Sequence, residues 1–450
     1  MLKATLRLVP IALLITCAWG CDEAAAPPAD TSSDTLLSGA SGMLAPRLDP
    51  SGFVQTASAA GTIDTTNPFF HPLGTNGRAC GSCHGAGEGW TITPFSVTLR
   101  FLLTSGTDPI FLPHDGANAP ELDVSTPEAR WSAYSMLRTR AVLRIGLPVK
   151  PTSEFELAAA DDPYGHASAA ELSLFRRPLP TTNLRFLSTI NWDGRNTVGS
   201  DPASMVLGLK NQANGAVLKH AQGAAPLDDG VRQTIVDFES GLATAQVRTF
   251  AAGDLDEHGA TGGPVPLLTL PFTFGAVATP STEVFTAFAP WSSSAGGWGG
   301  EARRRVAAGE EIFNSRTFTV STPNGSVSAT CSGCHNTPEI GGHATVAMFD
   351  VGISAPERRA ATVPLYTFRN KTTGDTVQTT DPGRALITGL WADMNKFKVP
   401  GLRGLAARAP YFHDGSVGTL RGVVEHYDAH FGINFSDEEK QDLVAFLESL

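Results

Sequence analysis

Cys80-Gly81-Ser82-Cys83-His84 and Cys331-Ser332-Gly333-Cys334-His335 are two copies of one pattern, Cys-x-x-Cys-His. Two thiols at this spacing can add to the two vinyl groups of one haem, and the imidazole that follows can bind the iron from one side. The pattern therefore predicts two covalently bound c-type haems. Each would be attached through the two cysteines of its motif and bound at the iron by the histidine of that motif.

Three other interpretations of the cysteines explain less. A thioredoxin-like redox pair requires no histidine and occurs in a βαβ setting that neither flank suggests. A shared zinc site would have to gather two motifs about 250 residues apart, although each already carries its own histidine. A disulfide within each motif would leave both histidines without a role. The remaining cysteines of the six in the chain, Cys17 and Cys21, lie near its start.

The composition indicates a folded, acidic chain. Hydrophobic residues make up 42% of it, enough for a large buried core, whereas 46 glycines and 31 prolines predict many loops. The formal net charge of −11 argues against a nucleic-acid-binding surface and supplies no basic belt for anionic lipid.

The first 20 residues have the pattern of an export signal. Lys3 and Arg7 precede an apolar run, residues 8–20, that is too short to be a stable bilayer anchor. The run leads into Ala18-Trp19-Gly20-Cys21, which resembles the lipoprotein box of bacterial export signals and predicts a lipid on Cys21. Ordinary cleavage after Gly20 is the alternative. Both interpretations predict export to the periplasm, and the first adds membrane contact through the lipid anchor alone.

Hydrophobic periodicity predicts helices in preference to alternating strands. Residues 167–175, 231–244 and 301–315 are predicted to be helical, and the third of these helices leads into the second haem motif. Ser436 and Glu439 have the spacing of a capping box that starts the last helix. We therefore predict a mainly α fold with two cytochrome c-like haem domains and long irregular loops.

The predicted organisation follows composition and motif position. It consists of a lipoprotein-like signal peptide over residues 1–20, a flexible tether over 21–60, an N-terminal haem c domain over 61–263, an interdomain connection over 264–300, and a C-terminal cytochrome c domain over 301–450.

Several segments outside the cysteine motifs resemble one family. Residues 397–403 (FKVPGLR) and 409–416 (APYFHDGS) resemble the C-terminal signature of the bacterial dihaem cytochrome c peroxidases, which the methylamine dehydrogenase maturation enzyme shares. Residues 192–195 (WDGR), Gln212-Ala213 and Gly341-Gly342 match further landmarks of that family in order. The resemblance covers roughly residues 65 to 450.

The resemblance implies a division of labour between the two haems. The haem on His84 would be the catalytic one, open to hydrogen peroxide or a similar oxidant. The haem on His335 would receive electrons from a small donor protein of the cytochrome or cupredoxin type. Trp192 lies at the position of the tryptophan that relays electrons between the haems, although a large core aromatic is the plainer interpretation.

The sequence departs from the family on the distal side of the first haem. In the peroxidases a glutamate about ten residues after the Gln-Ala landmark moves protons, and gapless counting from Gln212 places Gln222 there. An amide cannot act as a general acid or base, whereas His220 can, so His220 is a candidate distal residue or iron ligand. A surface histidine is the alternative. His166 precedes the Arg-Arg-Pro stretch in the way that the distal ligand of resting peroxidases does.

The sixth ligand of the second haem is also unusual. The register of the family places Tyr427 where classical peroxidases have methionine, as in the maturation enzyme. Generic cytochrome spacing favours Met394 instead, and His426 or His430 remains open. Family position places His413 near the edge of this haem. Some relatives also bind calcium through carbonyls near residues 408–410, but the asparagine that assists there has no counterpart, so calcium is left open.

These features predict an exported dihaem c-type cytochrome with peroxidase-like oxidoreductase activity. It would reduce peroxide, or use it to oxidise another substrate, at the His84 haem with electrons from the His335 haem. Two alternatives remain open: a dihaem electron-transfer protein without catalysis, and an oxidase that acts on a protein or organic substrate through high-valent haem.

Overall fold

A computed structural model of the chain describes residues 42–270, 283–293, 297–322 and 325–450. Of these residues 34% are helical and 17% lie in strands, which form several small sheets. The fold is therefore mixed α/β, and the prediction of a mainly α fold was wrong. The predicted signal peptide, Cys21 and the first half of the predicted tether lie outside the described residues.

The described helices are mostly short. Their bounds are α1 Pro94–Thr104, α2 Pro127–Ala133, α3 Ser135–Arg140, α4 Pro202–Lys219, α5 Asp229–Ser240, α6 Val265–Thr269, α7 Gly300–Ser315, α8 Cys331–Cys334, α9 Ala385–Thr388, α10 Leu420–Phe431 and α11 Asp437–Glu448.

The strands form one four-stranded, one three-stranded and three two-stranded sheets among the described residues. Their bounds are β1 Arg47–Asp49, β2 Gly52–Ser58, β3 Leu143–Leu147, β4 Phe155–Asp161, β5 Leu172–Arg176, β6 Leu242–Thr249, β7 Gly253–Asp254, β8 Phe318–Thr322, β9 Gly325–Ala329, β10 Met348–Phe349, β11 Leu365–Asn370, β12 Thr376–Thr379 and β13 Phe397–Lys398. The larger sheets have the orders β1-β2-β6-β7 and β12-β11-β4, and the pairs are β3-β5, β8-β9 and β10-β13.

Several helices begin where the sequence supplies an N-cap. The side chains of Thr93, Asp201, Thr419 and Ser436 each accept a hydrogen bond from the backbone N–H three residues later. Such a bond satisfies one of the amide groups left free at a helix start. At Ser436 the Glu439 side chain also accepts from the backbone N–H of Ser436, so the predicted capping box is present.

Two segments predicted as helices contain strands. Residues 172–176 form β5, whose five side chains are all buried, and it pairs with β3 from Leu143↔Arg176 to Leu147↔Leu172. The helix predicted over 231–244 ends at Ser240, and β6 begins at Leu242. The periodicity of a short apolar run does not distinguish a buried strand from a buried helix. Both segments contain a strand because part of each pairs with a strand that is distant in sequence.

The described part of the predicted tether belongs to a sheet. Strand β2 lies between β1 and β6, and its residues pair with β6 from Gly52↔Thr249 to Ser58↔Leu242. The hydroxyls of Thr56 and Thr244 lie 2.8 Å apart across this pair. Composition suggested a flexible segment here, whereas alternating inward-facing residues make this stretch a central strand.

The C-terminal part packs around a helix crossing. Helix α7 lies against α11, and the core between them includes Val306, Phe313, Leu443 and Phe446. Residues 284–291, within the predicted interdomain connection, add Phe285, Phe288 and Trp291 to the same core. The glycine at position 309 lets the two helices approach closely, because a Cβ there would lie 2.0 Å from the carbonyl oxygen of Asp442.

A buried charge network ties the N-terminal strands to the C-terminal part. The guanidinium of Arg176 donates two hydrogen bonds to Asp381, at 2.7 and 2.8 Å, and one to Asp193 at 2.5 Å. The three side chains are nearly inaccessible to solvent. Arg195 adds a fourth charge through its contact with Asp193 at 3.0 Å. The network fixes the turn that carries residues 192–195.

Within the stretches of chain that the structure describes, no helix is both long enough and apolar enough to cross a bilayer.

The close approach of α7 and α11 leads to a paired prediction. Gly309→Ala should lower the stability of the haem-bound protein by about 1–3 kcal/mol, because the added methyl forces the helices apart. Gly215→Ala, within α4 where nothing lies within 4 Å of the added Cβ, should be neutral or stabilising by up to ~1 kcal/mol. Urea denaturation followed by circular dichroism measures both changes, and equal effects would contradict the proposed packing constraint.

Candidate functional site

The first Cys-x-x-Cys-His motif forms a tight turn at the edge of a cavity. Residues Cys80–Ser82 make one turn of 3-10 helix, and His84 follows with its ring nitrogen Nδ1 3.0 Å from the carbonyl oxygen of Trp90. Because a carbonyl can only accept, Nδ1 carries the proton, and Nε2 is free to bind a metal. Cys80, Cys83 and His84 line the same cavity, which has a volume of about 210 Å³.

Trp90 connects this histidine to the N-terminal sheet. Its indole N–H donates to the Thr56 hydroxyl on β2 at 2.9 Å, and its side chain is fully buried. The rings of Phe69 and Phe238 pack against it with centroids 5.8 Å away. The N-terminal sheet and these aromatic rings therefore fix the position of Trp90, whose carbonyl oxygen orients His84.

The chemistry of these side chains fits a c-type haem. Burial lowers the pKa of His84 to about 4, with a smaller contribution from the nearby His220, so the imidazole is neutral as an iron ligand must be. Both thiols line the same largely apolar cavity, and burial is the main cause that raises the pKa of Cys80. The residues present therefore fit the group that the motif predicts.

Helix α4 supplies the polar face of this cavity. Gln212 and His220 line it together with the small or apolar residues Ala213, Ala216 and Val217. His220 lies eight positions after Gln212, about 12 Å further along the helix axis. His220 donates from Nδ1 to the carboxylate of Asp115 at 2.7 Å.

The structure does not place Gln222 in the cavity. Its side chain is exposed beyond the end of α4, and its amide oxygen lies 3.4 Å from the Nδ2 of Asn76. The chain turns out of the helix here, since Gln222 has a φ of +53°. Gapless counting from Gln212 missed this turn, and His220 is the residue of the pair that reaches the cavity.

His166 lies away from the cavity lining. Its Nδ1 is 2.8 Å from Glu121, and its Nε2 is 3.3 Å from the guanidinium of Arg144 and 3.5 Å from Glu171. Both ring nitrogens are thus engaged in a polar cluster in this structure. Its role as a distal ligand stays a prediction that the structure does not support.

The second motif repeats the arrangement of the first. Cys331–Cys334 form α8, whose N-cap Thr330 accepts from the backbone N–H of Gly333. His335 directs Nδ1 to the carbonyl oxygen of Gly341 at 2.5 Å, and burial lowers its pKa to about 4. Gly341 has a φ of +70°, and a Cβ there would lie 2.8 Å from Leu402, so the position requires glycine.

Tyr427 lies near the second cysteine pair. Burial raises the pKa of its phenol, and the charges of Cys334 and Cys331 add to the effect. Its ring stacks on Phe431 within α10, with centroids 6.1 Å apart. Met394 packs elsewhere, against the cluster around Phe155 and Tyr366. Of the two candidates, Tyr427 is the one whose phenol is electrostatically linked to the motif cysteines, and its ligation stays a prediction.

Trp192 lies between the two motifs. Its indole N–H donates to the carbonyl oxygen of Arg177 at 2.8 Å, and its side chain lines the His84 cavity. The ring centroid of Trp192 also lies 6.2 Å from that of His413. The His413 ring in turn stacks on the ring of Phe397, with their centroids 4.0 Å apart.

Further contacts continue from Phe397 to the second motif. Phe397 is paired with Phe349 across β10 and β13, and the ring of Phe349 lies 5.2 Å from that of His343. His343 in turn donates from Nδ1 to the carbonyl oxygen of Cys334 at 2.7 Å. Ring and backbone contacts therefore connect the two sites without a break.

Sequence reasoning missed two acidic groups at the first site. Asp115 lies on the loop between α1 and α2, where no motif links it to His220. Glu239, on α5, lines the cavity, and burial raises its pKa to about 8. Glu239 lies within the predicted helix 231–244, but only the folded chain shows that this face of the helix meets Cys80.

Comparison with known proteins supports the resemblance. No family model matches the chain. It is 35% identical to the cytochrome c551 peroxidase of Nitrosomonas europaea over 121 residues, 27% of this chain and 30% of that protein. It is 45% identical to the cytochrome-c peroxidase IdrP2 of Denitromonas iodatirespirans over 78 residues, 16% and 21% of the two chains.

A third relative represents the other branch. The methylamine utilization protein MauG of Methylorubrum extorquens is 42% identical over 65 residues, 12% of this chain and 18% of that protein. The resemblance to bacterial cytochrome c peroxidases and MauG is therefore confirmed. The matched stretches span less than a third of each of these relatives.

The buried acid of the first cavity makes stability depend on pH. Glu239 keeps its proton up to about pH 8 in the folded chain but loses it near 4.5 when unfolded, so unfolding releases a proton between these values. Stability should therefore fall as pH rises from 5 to 8. Glu239→Gln should remove this part of the loss and raise the Tm relative to wild type by about 2–5 °C at pH 8, but hardly at pH 5.

Calorimetry of the haem-bound protein at both pH values measures the difference. Glu311→Gln, on the exposed face of α7, is the matched control and should show no such dependence. An equal change in the two variants would contradict the assignment.

Proposed function

We propose that this relative of the bacterial cytochrome c peroxidases is an exported oxidoreductase with two c-type haems that reduces peroxide at the His84 site. The observation that carries the proposal is the composition of one cavity. It combines the two thiols of the haem motif, an oriented neutral imidazole at His84, and two polar side chains, Gln212 on α4 and His220 directly after its end.

Haem held by Cys80, Cys83 and His84 would supply the iron that accepts peroxide oxygen and exchanges electrons. The chain supplies the rest. The Trp90 carbonyl keeps Nδ1 of His84 protonated, which increases the basicity of the ligand and sets the orientation of the ring.

His220 is the residue to which we assign proton transfer. Its imidazole is on the cavity wall, and its Nε2 makes no hydrogen bond to another described residue. It can accept a proton from peroxide and return it to the departing oxygen. Gln212 cannot exchange protons at neutral pH, but its amide can hold the oxidant in place by hydrogen bonding.

In this proposal electrons enter at the His335 site from a small cytochrome or cupredoxin. Tyr427 is the proposed sixth ligand there, since its phenol lies near Cys331 and Cys334. A phenolate ligand favours ferric iron and lowers the reduction potential. Trp192 is the proposed relay, because its indole joins the His84 cavity to the aromatic contacts that lead to Cys334.

The cellular placement follows from the sequence alone. We propose secretion through the signal in residues 1–20 and a lipid anchor at Cys21 on the periplasmic side, with the domain organisation predicted above.

Calcium stays a prediction from the resemblance. No group of three His, Cys, Asp or Glu side chains is placed to hold a metal ion anywhere in the described residues. Burial, together with the charge of Arg408, lowers the pKa of Arg177 to about 10. Two cationic groups therefore lie close together near residues 408–410, where the resemblance would place calcium.

A second function shares the same site. Oxidation of another protein or an organic molecule is favoured by Tyr427 near the second motif and by the missing distal glutamate, features that the maturation enzyme branch suggests. A dihaem carrier without catalysis is the remaining alternative, and it would require both irons to be closed to peroxide.

Haem content and turnover test the proposal. Protein exported in a host that attaches haem should gain the mass of two haems and should oxidise a reduced small cytochrome when hydrogen peroxide is added. Replacement of Cys80 and Cys83 by alanine should remove one haem and lower turnover at least about 100-fold, since the reacting centre is lost. The matched Cys331→Ala, Cys334→Ala variant should keep the His84 haem and its reaction with peroxide.

A wild-type protein with two haems but no reaction with peroxide or cyanide would favour the carrier. Rapid consumption of peroxide equivalents without cytochrome oxidation would favour oxidation of another substrate.

Tyr427→Met tests the sixth ligand. Replacing a phenolate by a thioether should raise the potential of the second haem and change one of the two ferric signals in low-temperature electron paramagnetic resonance. Met394→Leu should leave both signals unchanged, because Met394 packs in a separate cluster. If Tyr427→Met has no effect on either signal, Tyr427 is not the ligand.

A further inference from the structure

The loop between α1 and α2 places a buried carboxylate behind the distal histidine of the first cavity. We infer that Asp115 is a positioning residue that orients His220 for proton transfer, so that an aspartate–histidine pair performs the task of the missing distal glutamate. This inference rests on the proposed function and deepens it.

One oxygen of Asp115 gathers three basic groups. Its Oδ2 accepts a hydrogen bond from the Nδ1 of His220 at 2.7 Å and from Nη1 of Arg78 at 2.7 Å, and the Nε2 of His114 lies 3.2 Å away. Asp115 is only 4% exposed. Burial alone would raise the pKa of Asp115, but these contacts outweigh it and hold the pKa well below its usual range. The carboxylate is therefore a permanent anion.

The backbone around the pair is fixed as well. The carbonyl oxygen of His220 accepts from Arg78 Nη1 at 3.0 Å and from Asn76 Nδ2 at 2.8 Å. The carbonyl oxygen of Asp115 accepts from the backbone N–H of Arg144 on β3 at 2.7 Å. Arg78 also donates to two carbonyl oxygens of the loop, those of Pro109 and Ile110. Neither partner can turn away from the other without breaking several of these bonds.

The hydrogen bond between His220 and Asp115 determines which nitrogen of His220 is available for proton transfer. With Nδ1–H held by the carboxylate, the neutral ring presents a lone pair at Nε2, and the anion stabilises the ring once Nε2 takes a proton. A histidine without this partner would lose proton affinity in a buried cavity. Asp115 and Arg78 contact His220 directly, His114 shares the Asp115 oxygen, and His84 and the titratable Glu239 line the same cavity.

The proton balance is simple. Reduction of one hydrogen peroxide to two waters takes two protons from solvent and two electrons from the donor protein. His220 Nε2 would take a proton from one peroxide oxygen and give it to the other, which would leave as water when the O–O bond breaks. The two solvent protons and the two donor electrons would then reduce the remaining oxygen to the second water. His220 ends unchanged, so Asp115 neither gains nor loses a proton.

Asp115→Asn tests the inference in the haem-bound protein. We expect the second-order rate constant with peroxide to fall about 10- to 100-fold, with the haem content and the resting absorption spectrum unchanged. The association rate of cyanide should fall with it, because hydrogen cyanide must also lose its proton to the distal base. The acid limb of the pH profile should move to lower pH, since the anion that stabilises the imidazolium is gone.

Two comparisons separate positioning from a structural role. Asp123→Asn makes the same chemical change on the same loop, yet Asp123 is exposed and does not line the cavity, so its rates should stay near those of wild type. In a His220→Gln background, Asp115→Asn should have no further effect on either rate, because the two residues act as a unit. Asp115→Glu should restore part of the rate.

Each outcome is decisive. A wild-type protein that ignores peroxide overturns the proposed function, whereas a reactive wild type with an equally reactive Asp115→Asn variant overturns only this inference. Equal losses with and without His220 would assign Asp115 to structure alone. If Asp115→Asn does not assemble with haem, Asp115→Glu decides, because it keeps the charge but moves the carboxylate by one methylene. Peroxide and cyanide rates that fall only while His220 is present support the inference, whereas wild-type rates, or equal losses with and without His220, overturn it.

Discussion

The hydrogen bond from a histidine Nδ1 to a backbone carbonyl is the constraint on which both sites depend. His84 makes it to Trp90 and His335 makes it to Gly341, and each bond leaves Nε2 free on a neutral ring. An imidazole without this bond could rotate or protonate, and then it would not bind iron. The carbonyl of Trp90 is itself held by the sheet, through the indole bond to Thr56. Strand β2 is therefore part of the support of the first site.

A buried network of charges connects strand β5 to the C-terminal part of the chain. Arg176 joins Asp193 to Asp381 in a solvent-inaccessible network beside Trp192. Such a network adds little net stability, because desolvation of the charges offsets their attraction, but it allows only one arrangement of its partners. The gain is geometric, since the turn that carries Trp192 is held against the His84 cavity. The hydrogen bond between Asp115 and His220 has the same effect on a smaller scale, because the carboxylate fixes the orientation of the imidazole.

Sequence reasoning succeeded where the chemistry is local and failed where it depends on distant partners. The Ser436 capping box and the helix leading to the second motif are local patterns, and the structure contains both. The two Cys-x-x-Cys-His motifs are local as well, and each forms a short helical turn. The mainly α prediction was wrong because strands such as β2 and β5 are defined by pairing with segments far along the chain. Gln222 was placed by counting, and one left-handed residue at the end of α4 was enough to carry it out of the cavity.

The sequence by itself predicted where haem could be attached, since thioether bonds to its vinyl groups require two thiols at a fixed spacing and the next histidine can bind the iron. It also determined the relationship to the cytochrome c peroxidases, which short contiguous motifs carry. Only the tertiary structure decided which polar groups surround the first cavity. Asp115, His220 and Glu239 come from a loop, a helix end and another helix, and their contacts depend on the packing of all three. Hydrogen bonds of about 3 Å between residues a hundred positions apart leave no local trace in the sequence.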